Sequence, residues 1–319
     1  MTPDLVAGLH ETFLAANAGD PGPVMTLPHF TVMVTEGWSS DLTEAWVVTE
    51  GGRVVAGYSL ALPEDDNTHR AVLGPLVVRP GYGGRGLGTA LLEHATARTR
   101  DEGRTLLYAE LDERGPGARF AERHGFTRSL AEARRVLDLR EADWAGLEAM
   151  LAEALPGAAG YVLERWAGPP PEHLLTDLAT LMGGMNDAPK DEVVEDVRWD
   201  VERVRLMERG TVLSGQSNHI MVARRASDGA PAGLTRIVLN LEGGGGWCLQ
   251  HDTVVLREHR GHRLGLVLKL GNLLWLRERD PGAERIITWN AASNSHMLAI
   301  NEAMGFKLLD EWSEWRKKV

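Results

Sequence analysis

A strand, a polar turn and a helix follow one another between Val254 and Lys269, and this segment restricts the possible folds more than any other. Its first three residues form an apolar run, and the turn after them leads into leucines at helical spacing. The first N–H groups of a helix lack partners within the helix, and the helix dipole makes that end partly positive. The segment therefore predicts a binding site for a phosphate or diphosphate, which we call the second cradle. Its residues are Val254, Val255, Leu256, Arg257, Arg260, Gly261, His262, Arg263, Leu264 and Gly265.

The same strand, turn and helix occur earlier in the chain, and we call this segment the first cradle. Val255 follows Val78 by 177 residues, and two further landmarks recur at nearly the same spacing. These are Ala56–Ser59 and Ala232–Thr235, 176 residues apart, and Gly125–Phe126 and Gly305–Phe306, 180 residues apart. Such regular recurrence indicates an internal duplication. The first cradle consists of Val77, Val78, Gly84, Arg85, Gly86 and Gly88.

The spacing of Val255, Arg257, Arg260 and Gly265, followed by Asn294, resembles the GNAT superfamily of N-acetyltransferases. Both copies together cover nearly the whole chain, which is similar to tandem GNAT proteins. The resemblance implies an α/β fold of two GNAT-like domains, each with a mixed, mostly antiparallel sheet flanked by helices. It also implies that acetyl-CoA is the acyl donor, with its diphosphate on a cradle and Asn294 as a further contact.

A proline-rich segment divides the chain. Because the prolines at 169–171 form a stiff extended element, we place the first domain at residues 1–140, a linker at 141–170 and the second domain at 171–319. Local patterns also predict a single strand over Val72–Val78, a closing hairpin over Phe126–Leu139 and a helix over Glu192–Glu208.

The second copy is predicted to be the catalytic one. The first copy has Gly83 where the family has Arg or Gln, and Arg114 near the position of the family's asparagine. By the resemblance, both differences weaken the hold on the donor, although Arg85 could supply the missing charge. The second copy has one departure of its own, because Arg263 stands where the family has glycine. We expect the first domain to stabilise the second or to shape its acceptor pocket.

The tyrosine that usually donates a proton in this family is missing from the second copy. Asn301 occupies its position, seven residues after Asn294. Deprotonating an ammonium of pKa about 10.4 near neutral pH costs about 4 kcal/mol, whereas protonating a thiolate of conjugate pKa about 8.5 gains only about 2 kcal/mol. A missing base would therefore cost the reaction more than a missing acid.

Two residues just before the second cradle are candidates for the general base. His251 has an ordinary pKa suited to accepting a proton at neutral pH, and Asp252 is the second candidate. Purely structural roles for both remain open. Strict strand alternation predicts His251 and Thr253 on one face, with Gln250 and Asp252 on the other.

Composition argues against several other classes of function. A net charge of −11 and a pI near 5.5 argue against nucleic acid or an anionic membrane as the main partner. The single cysteine, Cys248, excludes an internal disulfide, and neither a signal peptide nor a membrane-spanning apolar run is evident. His251, His259 and His262 do not match a metal-ligand spacing. We expect a cytoplasmic, metal-free monomer or homodimer that acts on a small-molecule amine, with cationic amines favoured.

Two other functions fit parts of the sequence. The missing tyrosine favours a catalytically silent acyl-CoA binding or regulatory protein. The glycines at 81, 83 and 86 satisfy a dinucleotide fingerprint, with Glu110 about one strand later, which would suggest an oxidoreductase. That fingerprint is absent from the second copy, where His259, Gly261 and Leu264 stand at the corresponding positions.

Overall fold

The computed structural model describes residues 1–37 and 41–319. The helices are α1 (Pro3–Ala16), α2 (Leu27–Thr35), α3 (Leu87–Asp101), α4 (Pro116–Arg123), α5 (Trp144–Ala154), α6 (Leu175–Gly183), α7 (Val201–Leu213), α8 (Leu264–Arg279) and α9 (Ser295–Ala303). The strands are β1 (Leu42–Glu50), β2 (Arg53–Leu62), β3 (Arg70–Leu73), β4 (Val77–Val78), β5 (Leu106–Asp112), β6 (Thr127–Asp138), β7 (Tyr161–Ala167), β8 (Gln216–Arg225), β9 (Pro231–Asn240), β10 (Trp247–Val255), β11 (Arg285–Ala291) and β12 (Lys307–Lys318). Short 3-10 turns lie at Leu155–Ala158, Glu172–Leu174, Gly184–Asp187 and Arg257–His259.

The chain forms two compact units, and neither is continuous in sequence. The first unit contains Met1–Ala131, Asp191–Asp196 and Glu311–Val319, and the second contains Glu132–Lys190 and Val197–Asp310. The segment 141–170, interpreted from the sequence as a linker, holds α5 and β7 and lies within the second unit. The units therefore do not follow the contiguous division at 140 and 171.

Each unit contains a mixed, mostly antiparallel sheet, as the sequence predicted. In the first unit β2 pairs antiparallel with β1, β3 and β4, β3 pairs parallel with β5, and β5 pairs antiparallel with residues 312–318 of β12. In the second unit residues 132–138 of β6 pair antiparallel with β11, and β11 pairs parallel with β10. The strands β10, β9, β8 and β7 follow as antiparallel neighbours.

Helices cover both faces of the second unit's sheet. Ile220 and Val222 of β8 pack with α6 and α7, whereas the alternating residues Met221 and Ala223 pack with α8. This alternation is expected of a strand whose two faces are both buried. In the first unit, α1 and α2 contribute to one apolar cluster and α3 and α4 to another.

Three local predictions differ from the structure. The segment predicted as one strand over Val72–Val78 is broken into β3 and β4, because Pro75 has no N–H to donate and Gly74 lies against Ser59. A closing hairpin over Phe126–Leu139 is wrong, since β6 is one continuous strand and its sequence contains no glycine, proline or asparagine to make a turn.

The helix predicted over Glu192–Glu208 begins only at Val201. The residues before it are held in the first unit by side-chain contacts. Asp191 accepts hydrogen bonds from the Tyr108 hydroxyl at 2.8 Å and from Arg316 at 2.6 Å, and Glu195 accepts one from the Asn67 N–H at 2.7 Å. These contacts hold the segment in a non-helical conformation.

Candidate functional site

The two cradles have the same backbone hydrogen bonding. Ala56 pairs with Val78 in the first unit as Gly233 pairs with Val255 in the second, so the spacing here is 177, and the spacing of 176 taken from the sequence was wrong by one residue. Two hydrogen bonds between backbone N–H and carbonyl groups recur at this spacing in the turn and helix. They are Tyr82 to Arg79 and His259 to Leu256, then Ala90 to Gly86 and Val267 to Arg263.

The helices that follow the cradles begin without a side-chain cap. α7 and α9 are capped by Asp200 and Asn294, whose side chains accept backbone N–H groups. In the part of the chain that the structure describes, no side chain does this for α3 or α8, whose first residues follow Gly86 and Arg263. Both helices therefore present unpaired N–H groups and a positive dipole end, which suits an anion.

The arginines of the second cradle share one carboxylate. Arg257 donates to Asp187 through Nε at 2.8 Å and through Nη2, and Arg260 donates to it through Nη2 at 2.6 Å. These hydrogen bonds lower the pKa of Asp187 to about 2, with Arg257 contributing most. Arg260 Nε also donates to the carbonyl of Val255 at 3.1 Å, which fixes this side chain against the end of β10.

The remaining cradle residues shape the turn. Gly261 has a φ of +86°, in the left-handed region that glycine tolerates. Leu264 is buried, and a Cβ added to Gly265 would lie 3.7 Å from Ile300, so α9 lies close to the start of α8. The ring of His262 lies 5.3 Å from that of Tyr161. Val254 is buried, so the side chains exposed in the turn are mainly basic.

The strands next to the second cradle separate at its upstream end. β10 pairs with β11 from Trp247 to Gln250, and the pairing stops there although both strands continue, to Val255 and Ala291. The backbone of β10 from His251 onward is therefore unpaired on its β11 side. N–H groups along such a gap can donate to a ligand carbonyl.

His251 and Asp252 form a β-bulge opposite Arg236. Gln250 pairs with Ile237 and Thr253 with Thr235, so the two residues between them oppose one residue of β9. The predicted alternation is therefore wrong. The side chains of Gln250 and Thr253, predicted on opposite faces, both contact the hydroxyl of Thr235, at 3.2 Å and 2.9 Å.

The bulge lies beside a buried charged cluster. Arg236 Nε is 3.6 Å from Asp252 Oδ2, and its Nη1 is 3.6 Å from Glu208 Oε1. Asn218 donates to the other carboxylate oxygen of Glu208 at 2.7 Å. Burial raises the pKa of Glu208, while Arg236 and the hydrogen bond from Asn218 oppose the rise. The Asp252 carboxylate thus already has a cationic neighbour.

His251 is solvent-accessible, yet enough protein surrounds it to disfavour an added charge. This desolvation lowers the pKa of His251; the Asp252 carboxylate opposes the fall and Arg236 adds to it. The imidazole is therefore neutral at pH 7 and able to accept a proton.

The two asparagines singled out from the sequence have different surroundings. Asn294 Oδ1 accepts the N–H of Met297 at 3.2 Å and so caps α9. Asn301 is fully buried, and its amide nitrogen donates to Asn290 Oδ1 at 2.7 Å. Because Asn290 follows Thr288, where the pairing with β10 ends, the Asn301–Asn290 pair adjoins the unpaired part of β11.

The first unit keeps the cradle backbone but loses the charged groups. At the spacing of 177, Gly74 and Pro75 stand where the second unit has His251 and Asp252. The arginines of the second cradle are likewise replaced, by Pro80 and Gly83. Val77 and Val78 form β4, Gly84 and Gly86 have φ values of +73° and +81°, and Gly88 faces the ring of Phe120. Arg85 pairs with Glu50 at 3.1 Å.

Three residues of the second unit were missed from the sequence: Asp187, Arg236 and Glu208. Asp187 is 70 residues from the nearer arginine that it binds, and no local pattern marks it. The thiol of Cys248 is buried, which raises its pKa to about 12 and makes a reactive thiolate unfavourable. Among residues 1–37 and 41–319, no group of three or more His, Cys, Asp or Glu side chains is placed to hold a metal ion. No helix formed by these residues is both long and apolar enough to cross a bilayer.

The dinucleotide fingerprint lies in a different architecture from the one it requires. It belongs to a parallel βαβ unit, whereas β4, which leads into these glycines, pairs antiparallel with β2.

Known proteins resemble this chain over its full length. The sequence model of the acetyltransferase (GNAT) domain matches residues 41–128. A tandem GNAT protein from the clavulanic acid biosynthesis pathway, solved without AcCoA, is 31% identical, with a TM-score of 0.81 over 99% of this chain and 95% of that one. A GCN5-related N-acetyltransferase from Sphaerobacter thermophilus is 15% identical, with a TM-score of 0.66 over 100% of this chain and 94% of that one. No curated protein matches the chain.

Proposed function

Because the chain belongs to the GNAT acetyltransferase family, as a tandem member, and is an acyltransferase, we propose that its second unit transfers the acetyl group of acetyl-CoA directly to a primary amine of a small molecule. The observation that carries this proposal is the arrangement along β10. An anion cradle, an unpaired strand edge and two candidate bases follow one another between His251 and Gly265.

In this proposal the second cradle binds the donor substrate. The N–H groups at the start of α8 hydrogen-bond the diphosphate of acetyl-CoA, and Arg257 and Arg260 neutralise its charge. Backbone N–H groups between His251 and Val255 hydrogen-bond the thioester carbonyl, whose oxygen gains negative charge during attack. Asn294 contacts the donor farther along the groove.

His251 serves as the general base. It removes a proton as the amine nitrogen forms a bond to the acetyl carbon, the carbon–sulfur bond breaks, and CoA leaves as a thiolate. The lowered pKa keeps the imidazole neutral at pH 7, so it can accept this proton. Asp252 is the second candidate, but the nearby Arg236 stabilises its carboxylate form and makes it a weaker base.

The first unit is proposed to bind acyl-CoA without catalysing transfer. Its cradle backbone matches that of the second unit, which supports binding of a diphosphate. Gly74 and Pro75, at the positions of the candidate bases, carry no side chain that could accept a proton. The acidic composition of the chain favours a cationic acceptor amine, such as a polyamine or an amino sugar.

A matched pair of variants tests this assignment. Gly88→Glu and Gly265→Glu place a carboxylate at the second position of α3 and of α8, where a Cβ meets only ordinary contacts at 3.6 Å and 3.7 Å. With acetyl-CoA and a panel of amines, free thiol release should persist in Gly88→Glu and fall at least 100-fold in Gly265→Glu.

The reverse pattern would move catalysis to the first unit. CoA binding by the unaltered protein, without thiol release over any amine, would favour the silent acyl-CoA binding protein instead.

A further inference from the structure

We propose that Asp187 is a built-in competitor of the donor, which weakens the hold of the second cradle on acyl-CoA and on the CoA product alike. This inference rests on the proposed function of that cradle. Asp187 Oδ2 accepts from both Arg257 and Arg260, at 2.8 Å and 2.6 Å, and Oδ1 accepts from Arg257 as well. One carboxylate thus bridges two guanidinium groups, as a phosphate group would.

These contacts use the hydrogen-bonding edges that a diphosphate needs. Arg257 gives Nε and Nη2 to Asp187, while Arg260 gives Nη2 to Asp187 and Nε to the carbonyl of Val255. A ligand that binds the same edges must separate them from the carboxylate. If the carboxylate instead stays in place, it repels the ligand's negative charge.

The fold holds Asp187 in this place. It ends the turn Gly184–Asp187, and a Cβ on Gly184 would come within 2.8 Å of both Val254 and Leu256, so only glycine lets this turn lie against the end of β10. The neighbouring Asn186 is fixed on both sides of its amide, which donates to the carbonyl of Val197 and accepts its N–H, each at 2.9 Å. The carboxylate is therefore positioned by backbone packing as well as by the arginines.

The first unit supports a link between the carboxylate and the arginines. Pro80 and Gly83 stand there at the positions of Arg257 and Arg260, so the cradle with the same backbone has no arginine pair for a carboxylate to bridge.

The consequence for the reaction follows from the shared diphosphate. Acetyl-CoA and free CoA carry the same anionic group, so Asp187 weakens the binding of both by a similar factor. The arginines lose some ordering without Asp187, but Arg260 keeps its bond to Val255, and the removed charge is the larger effect. We expect removal of the charge to tighten binding about fivefold to tenfold, as for one unit charge at contact distance near the surface.

Asp187→Asn tests the inference, in a protein that also carries Gly88→Glu so that only the second cradle binds. Calorimetric titration with CoA, and separately with inorganic pyrophosphate, should give dissociation constants about fivefold to tenfold lower than with Asp187 present. The KM for acetyl-CoA and the inhibition constant of CoA should fall by a similar factor. Glu153→Gln is the matched control, because Glu153 pairs with Arg263 of the same cradle at 3.0 Å and loses the same charge.

Weaker binding in Asp187→Asn would overturn the inference and make Asp187 a residue that positions the arginines. Equal binding in Asp187→Asn, or an equal gain in Glu153→Gln, would overturn it too, since the bridge would then have no specific effect. Failure of CoA to bind when Asp187 is intact and the first cradle is blocked would instead contradict the proposed function of the second cradle. If Asp187→Asn does not fold, Asp187→Ser provides the same comparison.

Discussion

Arg263 adopts the left-handed backbone conformation that Gly86 adopts at the equivalent position of the first unit. Their φ values are +56° and +81°, and each residue immediately precedes the helix of its cradle. For a residue with a Cβ this conformation costs about 1–2 kcal/mol, whereas glycine adopts it freely. The second cradle therefore holds a strained residue at the position where a ligand would meet the helix.

Arg263→Gly should stabilise the second unit by about 0.5–1 kcal/mol, because relief of the strain exceeds the extra entropy that glycine loses on folding. Its exposed ion pair with Glu153 contributes little. Gly86→Arg is the reciprocal change, and space for its Cβ is open, so it should destabilise the first unit by a similar amount. Chemical denaturation of both variants measures the difference, and equal shifts of the same sign would contradict the strain argument.

His251→Ala should lower turnover at least 100-fold with little change in acetyl-CoA affinity, because the side chain removes a proton while the donor is held by the cradle. In the unaltered protein the rate should fall as pH drops through the pKa of His251, which lies below its ordinary value near 6.5. Steady-state rates over pH, with donor affinity measured separately, check both statements. His262→Ala is the control histidine in the same unit, and unchanged turnover in His251→Ala would remove His251 from the mechanism.

Lys269 should make stability depend on pH. Its side chain is 1% exposed, its Nζ lies 5.5 Å from the centre of the Phe306 ring, and burial lowers its pKa to about 7. The unfolded chain holds this proton up to about pH 10.4, so between these values the unfolded state binds more protons and stability rises with pH.

The variant Lys269→Met isolates this effect. The unfolding free energy of the unaltered protein minus that of Lys269→Met should rise by about 1.4 kcal/mol per pH unit above pH 7. Taking the difference removes the opposite trend from Cys248, whose raised pKa causes a loss of stability at high pH. Denaturation at pH 7.5 and 8.5 suffices, Lys307→Met at an exposed position is the control, and a flat difference would contradict the prediction.

The duplication and the cradles could be predicted from the sequence because they depend on local chemistry. An apolar strand, glycines with positive φ and a helix start leave a pattern that survives even where Arg260 is replaced by Gly83. The two-unit GNAT fold followed from the same landmarks and is confirmed by the match over 99% of the chain.

The rest depended on contacts between distant residues. Strand alternation cannot detect the extra residue of a bulge, so the faces of Gln250 and Thr253 were misassigned. Asp187 reaches Arg257 only after α6 and β10 have packed, and no pattern near either residue records that contact. The exchange of segments between the units likewise leaves no trace in periodicity, because β6 and β12 look like ordinary strands along their whole length.

The strand formed by residues 312–318 completes the sheet of the first unit beside β5, although about 200 residues separate the two in sequence. Because the ribosome releases a chain from its N-terminus onward, the first unit emerges early and must wait for a strand made after nearly all of the second unit. Until that strand arrives, β5 presents an unpaired edge in the cell, where other chains can pair with it. Synthesis order thus makes the N-terminal half the last to become complete.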